Sequence, residues 1–223
     1  MSLAVRWVVT GPFQENSYLL VCTSTREAIL VDPGDEPERI AALVEREQAR
    51  PVALYATHAH LDHVGALAEL QDHYRVPTFV PAGDFEWLEA LPLQAQMFRL
   101  PAPRRPRVDG PLVEGQRILF GELAGVALAT PGHTEGGTSL WFEKEGVLVT
   151  GDTLFAGSVG RTDLPGGDFP TLVRSIRERL FALPDETTFY SGHGEPGRLG
   201  DEKRSNPFVG ELAPGSARAP RRP

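Results

Sequence analysis

Three histidines and one aspartate stand together in the segment THAHLDH, at residues 57–63. The whole chain contains only 6 histidines, so the HxHxDH pattern concentrates half of them in one short stretch. Imidazole nitrogen and carboxylate oxygen are common ligands of zinc and iron in proteins. The segment therefore predicts a metal centre.

The spacing within this segment suggests how its side chains divide between ions. In an extended segment, side chains two residues apart point to the same side, so His58 and His60 could bind one ion. A turn after Leu61 could direct Asp62 and His63 toward a second ion. Four ligands are too few for two ions that each need four or more, so further ligands must come from distant loops.

Three other residues are candidates for the missing ligands: His133 in ATPGHTEGG, Asp152 in VTGDTLF and His193 in YSGHGEPG. Each follows an apolar segment that is typical of a strand, and each lies next to a glycine. Glycine permits close approach of the backbone, and loops at strand ends often carry functional side chains. We therefore expect these residues to meet the HxHxDH segment.

The elements that must position these residues can be predicted from apolar periodicity and turn residues. Strands are predicted at 3–9, 18–22, 27–32, 52–56, 78–80, 117–120, 125–130, 138–142, 146–152 and 187–191, and helices at 37–50, 64–74, 85–91 and 170–182. Prolines interrupt the periodicity between 76 and 111, which predicts a long surface excursion. This order of strands and helices predicts an α/β (α+β) fold in which helices cover sheets.

Composition limits the class of protein. The 223 residues carry a formal net charge of −8, which disfavours binding to nucleic acid. The sequence has no apolar run of 18 residues, so no membrane span is expected. The chain has a single cysteine, Cys22, and its start does not resemble a secretory signal, which favours a reducing, cytoplasmic setting. One domain is expected over 1–210, followed by a disordered tail at 211–223.

The HxHxDH segment, together with the glycine-flanked His133, Asp152 and His193, resembles the metallo-β-lactamase superfamily. The resemblance covers about residues 3–209 and implies a four-layer αββα sandwich with metal ions at the sheet edge. It also implies the ligands: His58, His60 and His133 for a first metal, Asp62, His63 and His193 for a second, and Asp152 as a bridge between them.

Two longer segments, GDTLFAGSVGRTDLPGGD and SGHGEPGRLGDEKRSNPFV, are most similar to glyoxalase II, the hydroxyacylglutathione hydrolases, and especially to short bacterial members without the C-terminal helical domain. The resemblance implies cleavage of a small thioester such as S-lactoylglutathione by a metal-bound hydroxide. Asp62 and Asp152 would be catalytic, and Phe155 and Arg161 would lie near the substrate. Two divalent ions are expected, zinc first, with iron or manganese as alternatives.

Other interpretations remain open from the sequence. Persulfide dioxygenases of the same superfamily bind one iron, here matching His58, His133 and Asp152, and a noncatalytic metal-binding module is a third hypothesis. Arg161 could bind a substrate carboxylate or form a loop clamp with an aspartate. The expected partner is a small-molecule thioester, with no nucleic acid or membrane, and the protein is expected to be a monomer or homodimer.

Overall fold

Two six-stranded β-sheets form the centre of the molecule in the computed structural model, which describes residues 2–213. The first sheet contains, in spatial order, β1 (Leu3–Thr10), β2 (Glu15–Cys22), β3 (Glu27–Val31), β4 (Arg50–Tyr55), β5 (Thr78–Pro81) and β6 (Gly110–Leu112). The second contains β7 (Arg117–Phe120), β8 (Leu123–Ala129), β9 (Thr138–Phe142), β10 (Val147–Gly151), β13 (Thr188–Ser191) and β14 (Gly197–Arg198). A separate small hairpin joins β11 (Leu154–Phe155) to β12 (Ser158–Val159).

Helices cover the outer face of each sheet. Those on the first sheet are α1 (Pro37–Arg46), α2 (Leu61–Val64), α3 (Leu67–Tyr74), α4 (Phe85–Glu89) and α5 (Leu91–Phe98). Those on the second sheet are α6 (Phe169–Ser175), its π-helical continuation Ile176–Leu180, and α7 (Leu199–Ser205). No helix within residues 2–213 is both long and apolar enough to span a membrane.

Side chains that point alternately to the two faces of a strand build the helix and sheet layers. In β2, Leu19 and Val21 pack against the helices, whereas Tyr18, Leu20 and Cys22 face the second sheet. Side chains that alternate between faces let one fully buried strand serve two cores, and every residue of β2 is buried. The predicted αββα sandwich is therefore confirmed.

Strand direction brings several loops to one edge of the sandwich. In the second sheet, β8 and β10 are both antiparallel to β9, and β10 is parallel to β13. The carboxyl ends of β8, β10 and β13 therefore point the same way. In the first sheet β3 is parallel to β4, so their carboxyl ends also lie together.

Several sequence-based boundaries differ from the structure. The first helix ends at Arg46, and the helix predicted after the histidines is broken into α2 and α3. The excursion at 76–111 contains α5 and β6, which the prediction missed. Helix α5 has buried Leu91 and Ala95 on one side but exposes Leu93 and Met97 on the other, so its apolar residues show no clear helical period. Most of the predicted disordered tail, residues 214–223, lies outside the described residues.

The packing between the sheets generates a stability prediction. Leu140 in β9 is fully buried between the sheets, whereas Leu119 in β7 is 56% exposed. We expect Leu140→Ala to lower the free energy of unfolding by about 2–5 kcal/mol because it leaves a cavity. Leu119→Ala should lower it by no more than about 0.5 kcal/mol. Urea unfolding followed by circular dichroism measures both values, and equal losses would contradict the layered core.

Candidate metal centre

The loops at this edge bring the seven predicted ligands together. The loop after β4 carries His58 and His60, and α2 carries the next two ligands of the motif. The loops after β8, β10 and β13 supply His133, Asp152 and His193. Ligand atoms lie within 4.8 Å of one another in three groups: His58, His60 and His133; His58, His63 and Asp152; and Asp62, His63 and His193.

Asp152 lies between the other ligands. Its Oδ1 is 3.4 Å from Nε2 of His63, and its Oδ2 is 3.6 Å from Nε2 of His133 and 3.5 Å from Nε2 of His193. Its neighbour Gly192 has no room for a side chain, because an added Cβ would lie 2.2 Å from Oδ1 of Asp152. One carboxylate is thus positioned to face two ligand groups at once.

Two hydrogen bonds, at His133 and His58, and one close contact of His63 with a carboxylate fix the orientation of the imidazole rings. Nδ1 of His133 is 2.7 Å from the carbonyl oxygen of Arg161, Nδ1 of His58 is 3.1 Å from Oγ1 of Thr57, and Nδ1 of His63 is 3.1 Å from Oδ2 of Asp32. When Nδ1 is held by such a partner, Nε2 is the nitrogen left for a metal ion. All three rings direct that nitrogen into the cluster.

The residues present fit a bound metal ion. Nε2 of His58 is buried and has no hydrogen-bond partner within residues 2–213. Nδ1 of His60 and Nε2 of His133 lie 2.9 Å apart, so two ring nitrogens face each other. Buried polar atoms without partners are costly, and a shared cation would satisfy these lone pairs. The donor set of imidazoles and carboxylates is suitable for zinc or iron.

Burial and the neighbouring charges hold His58, His60 and Asp152 in the protonation states that bind metal ions, whereas the nearby carboxylates raise the pKa values of His63 and His193. Burial and the surrounding imidazoles keep the pKa of His58 well below its ordinary value, and mainly burial lowers the pKa of His60 to about 3. Burial alone would raise the pKa of Asp152, but the charge and hydrogen bond of His63, together with the charges of His133 and His193, lower that pKa overall. Neutral imidazoles and an ionised carboxylate are the forms that bind metal ions.

Comparison with known proteins identifies the family. The family profile described as "Metallo-beta-lactamase superfamily" matches residues 10–193, which is most of the chain. The chain belongs to the metallo-β-lactamase superfamily. This confirms the family predicted from the HxHxDH segment.

Relatives within the superfamily resemble this chain over nearly its whole length. The hydroxyacylglutathione hydrolase GloC of Haemophilus influenzae is 38% identical over 204 residues, covering 88% of this chain and 93% of the relative. The crystal structure of BLEG-1, a B3 metallo-β-lactamase, is 35% identical with a TM-score of 0.86 and covers 92% of this chain and 99% of that one. TTHA1623, solved in a di-iron-bound form, is 40% identical with a TM-score of 0.83, covering 92% and 100%. The chain is thus an enzyme of this superfamily with a histidine–aspartate metal site.

The sequence reasoning missed residues that hold the metal-ligand loops. Asp32 accepts hydrogen bonds from the backbone N–H and the hydroxyl of Thr57, at 2.6 and 2.7 Å. Asp84 accepts from the N–H of Ala59 at 3.0 Å, the hydroxyl of Thr134 at 2.8 Å and the N–H of Gly136 at 2.7 Å. Asp32 had the visible signal of ending an apolar strand, but Asp84 had none, because it resembles an ordinary helix-start residue.

Three further residues, His73, Arg161 and Phe155, lie outside the three ligand groups. His73 lies on α3 with its ring against Tyr74 and belongs to none of the three ligand groups. Arg161 forms a bidentate ion pair with Asp163, and both nitrogen–oxygen distances are 2.7 Å. This is the loop clamp that the sequence offered as one alternative for Arg161. Phe155 lies beside His193, with ring centroids 6.2 Å apart.

Asp84 provides a test of how the two loops are coupled. Asp84→Ala would leave buried donors on both the HxHxDH loop and the His133 loop without an acceptor. We expect a loss of about 3 kcal/mol or more in unfolding free energy, at about 1–3 kcal/mol per unsatisfied donor. We also expect metal affinity to fall about 10–100-fold.

The matched control is Asp72→Ala, which removes an exposed ion pair with Arg104 and should cost at most about 1 kcal/mol. Urea unfolding and competition with a chelator of known affinity measure the two effects. If both variants bound metal as tightly as the wild-type chain, the coupling role of Asp84 would be wrong.

Proposed function

We propose that this protein is a dinuclear-metal hydrolase of the glyoxalase II type that cleaves a small thioester, most simply a hydroxyacylglutathione such as S-lactoylglutathione. The observation that carries the proposal is the position of Asp152 between two ligand groups. The name of the GloC relative supports the substrate class. A site for one iron would use only His58, His133 and Asp152, and would leave the group formed by Asp62, His63 and His193 unexplained.

In this proposal the ligands divide as the resemblance implied. His58, His60 and His133 would hold the first ion, Asp62, His63 and His193 would hold the second, and Asp152 would be shared. Such a set of imidazoles and carboxylates accepts zinc, iron or manganese. Zinc remains the first expectation, and the di-iron form of TTHA1623 makes iron the main alternative.

The bound ions would supply Lewis-acid polarisation of the carbonyl and an activated water. The chain's own residues have separate tasks. Burial would raise the pKa of Asp62, but His63 and His193 lower it overall, so both Asp62 and Asp152 are ionised at neutral pH. As ionised acceptors, these two carboxylates orient the attacking water and can take up its proton.

The proposed reaction needs no dedicated general acid to protonate the leaving group. A thiol has a pKa of about 8.5, so a thiolate can depart near neutral pH without a strong proton donor. Phe155 is placed to contact the substrate because it lines the same cavity as the ligands. Arg161 also lines that cavity, but its guanidinium is bound by Asp163, so we assign it to holding the loop.

The first experiment pairs metal analysis with activity. The protein is purified without added metal, its zinc, iron and manganese are quantified, and hydrolysis of S-lactoylglutathione is followed under nitrogen. About two ions per chain with oxygen-independent cleavage would support the proposal. About one iron with oxygen consumption on a persulfide, or cleavage of a β-lactam in preference to the thioester, would overturn it.

Substitution of Asp152 tests whether its carboxylate is shared between the two proposed metal sites. We expect Asp152→Ala to bind about one ion fewer per chain and to lower kcat by roughly 10²–10⁴-fold, because the residue orients the water as well as holding metal. His73→Ala should leave both quantities unchanged. Elemental analysis and thioester kinetics measure them, and full metal content in Asp152→Ala would refute the bridging role.

A further inference from the structure

The metal centre opens into a cavity of about 470 Å³ whose walls are largely apolar. Cavities of this size are typical of small-molecule sites. Its apolar walls come from the α4–α5 region and from the β11–β12 hairpin. The main contributors are Trp87, Leu93, Met97, Phe98, Phe155 and Val159.

This apolar surface begins directly at the metal ligands. The Trp87 ring stands perpendicular to that of His60, with centroids 4.7 Å apart. On the other side Phe155 contacts the ring of His193. A group attached to the reacting carbonyl therefore enters an apolar environment at once.

Two polar side chains in the wall, those of Gln94 and Arg161, already bond to other groups of the protein. The amide oxygen of Gln94 accepts from the N–H of Leu61 at 2.8 Å, and its amide nitrogen donates to the carbonyl oxygens of Trp87 at 2.9 Å and Ala59 at 3.3 Å. Among the described residues that line this cavity, Arg161 is the single Lys or Arg, and it is paired with Asp163. The wall thus has no unpaired cation to recognise a carboxylate.

Helix α5 exposes apolar side chains along the same cavity. Leu93 is 59% exposed, Met97 63% and Phe98 44%. Clustered exposed apolar surface commonly marks a binding site. Glutathione carries two carboxylates and an ammonium group, so this wall suits the acyl side of a thioester better than the glutathione side.

We propose that the cavity binds an apolar acyl group, so that the preferred substrates are thioesters with medium-length, uncharged acyl chains. Leu93 and Met97 determine this specificity, and the polar thiol carrier lies outside the apolar wall. The inference rests on the proposed thioester hydrolysis and narrows its substrate class.

The kinetic test compares S-octanoylglutathione with S-lactoylglutathione, which share one thiol. We expect kcat/KM to favour the octanoyl ester by about tenfold or more, because each buried methylene contributes to binding. The double variant Leu93→Gln with Met97→Gln should lower this ratio about fivefold or more. Leu119→Gln, a matched change at a residue that is 56% exposed and absent from the cavity lining, should leave the ratio unchanged.

A binding test needs no reaction. S-Octylglutathione and S-methylglutathione are thioethers without a scissile carbonyl, and Trp87 in the wall can report their binding by fluorescence. We expect the octyl compound to bind about tenfold more tightly or better. Trp87→Phe should abolish the signal although Trp7 and Trp141 remain.

The outcomes separate this inference from the proposed function. Cleavage of S-lactoylglutathione without a preference for octanoyl or octyl compounds would overturn the inference and leave the function standing. Cleavage of neither thioester would overturn the function, while the thioether titration would still decide the cavity's preference. If the double variant converted a dimer to a monomer in sedimentation without changing the substrate ratio, the exposed face of α5 would be a contact between copies instead.

Discussion

Burial of polar ligand atoms at one sheet edge is the constraint on which the rest of the structure depends. Imidazoles and carboxylates are crowded together away from water, and Nε2 of His58 has no hydrogen-bond partner within residues 2–213. Buried polar groups destabilise a fold unless they are paired. A scaffold that holds them in place must therefore be rigid, and the atoms it leaves unsatisfied define where cations belong.

The rigidity comes from side chains that connect separate loops. Asp32 ties the end of β3 to Thr57, and Asp84 ties Ala59 to the loop that carries His133. These carboxylates accept two or three hydrogen bonds each, so they fix loop positions that apolar packing alone would not define. The metal centre is thus built by loops from both sheets, and the stability of each loop depends on residues from another part of the chain.

A polar centre and an apolar cavity adjoin at the same edge. Trp87 and Phe155 pack directly against the rings of His60 and His193, so the environment changes from charged to apolar within one ring contact. Low local polarity strengthens the electrostatic effects of the adjacent carboxylates. The same arrangement restricts which substituents of a substrate can lie beside the reacting carbonyl.

The sequence alone determined the family, the layered fold class and the set of candidate ligands. The HxHxDH spacing is local, and histidine is rare in this chain, so short-range reasoning could identify it. Apolar alternation located most strands because burial on two faces leaves a clear pattern. The assignment of each ligand to a particular ion stays a prediction.

Only the tertiary structure decided how distant residues cooperate. Asp84 contacts Ala59 and Gly136, which are 25 and 52 residues away, and no local pattern records such contacts. Helix α5 was missed because a helix beside a cavity exposes apolar side chains instead of hiding them. Arg161 could have bound a substrate on sequence grounds, but its pairing with Asp163 depends on the path of one loop. Long-range hydrogen bonds and cavity walls arise from packing, which is why the sequence did not reveal them.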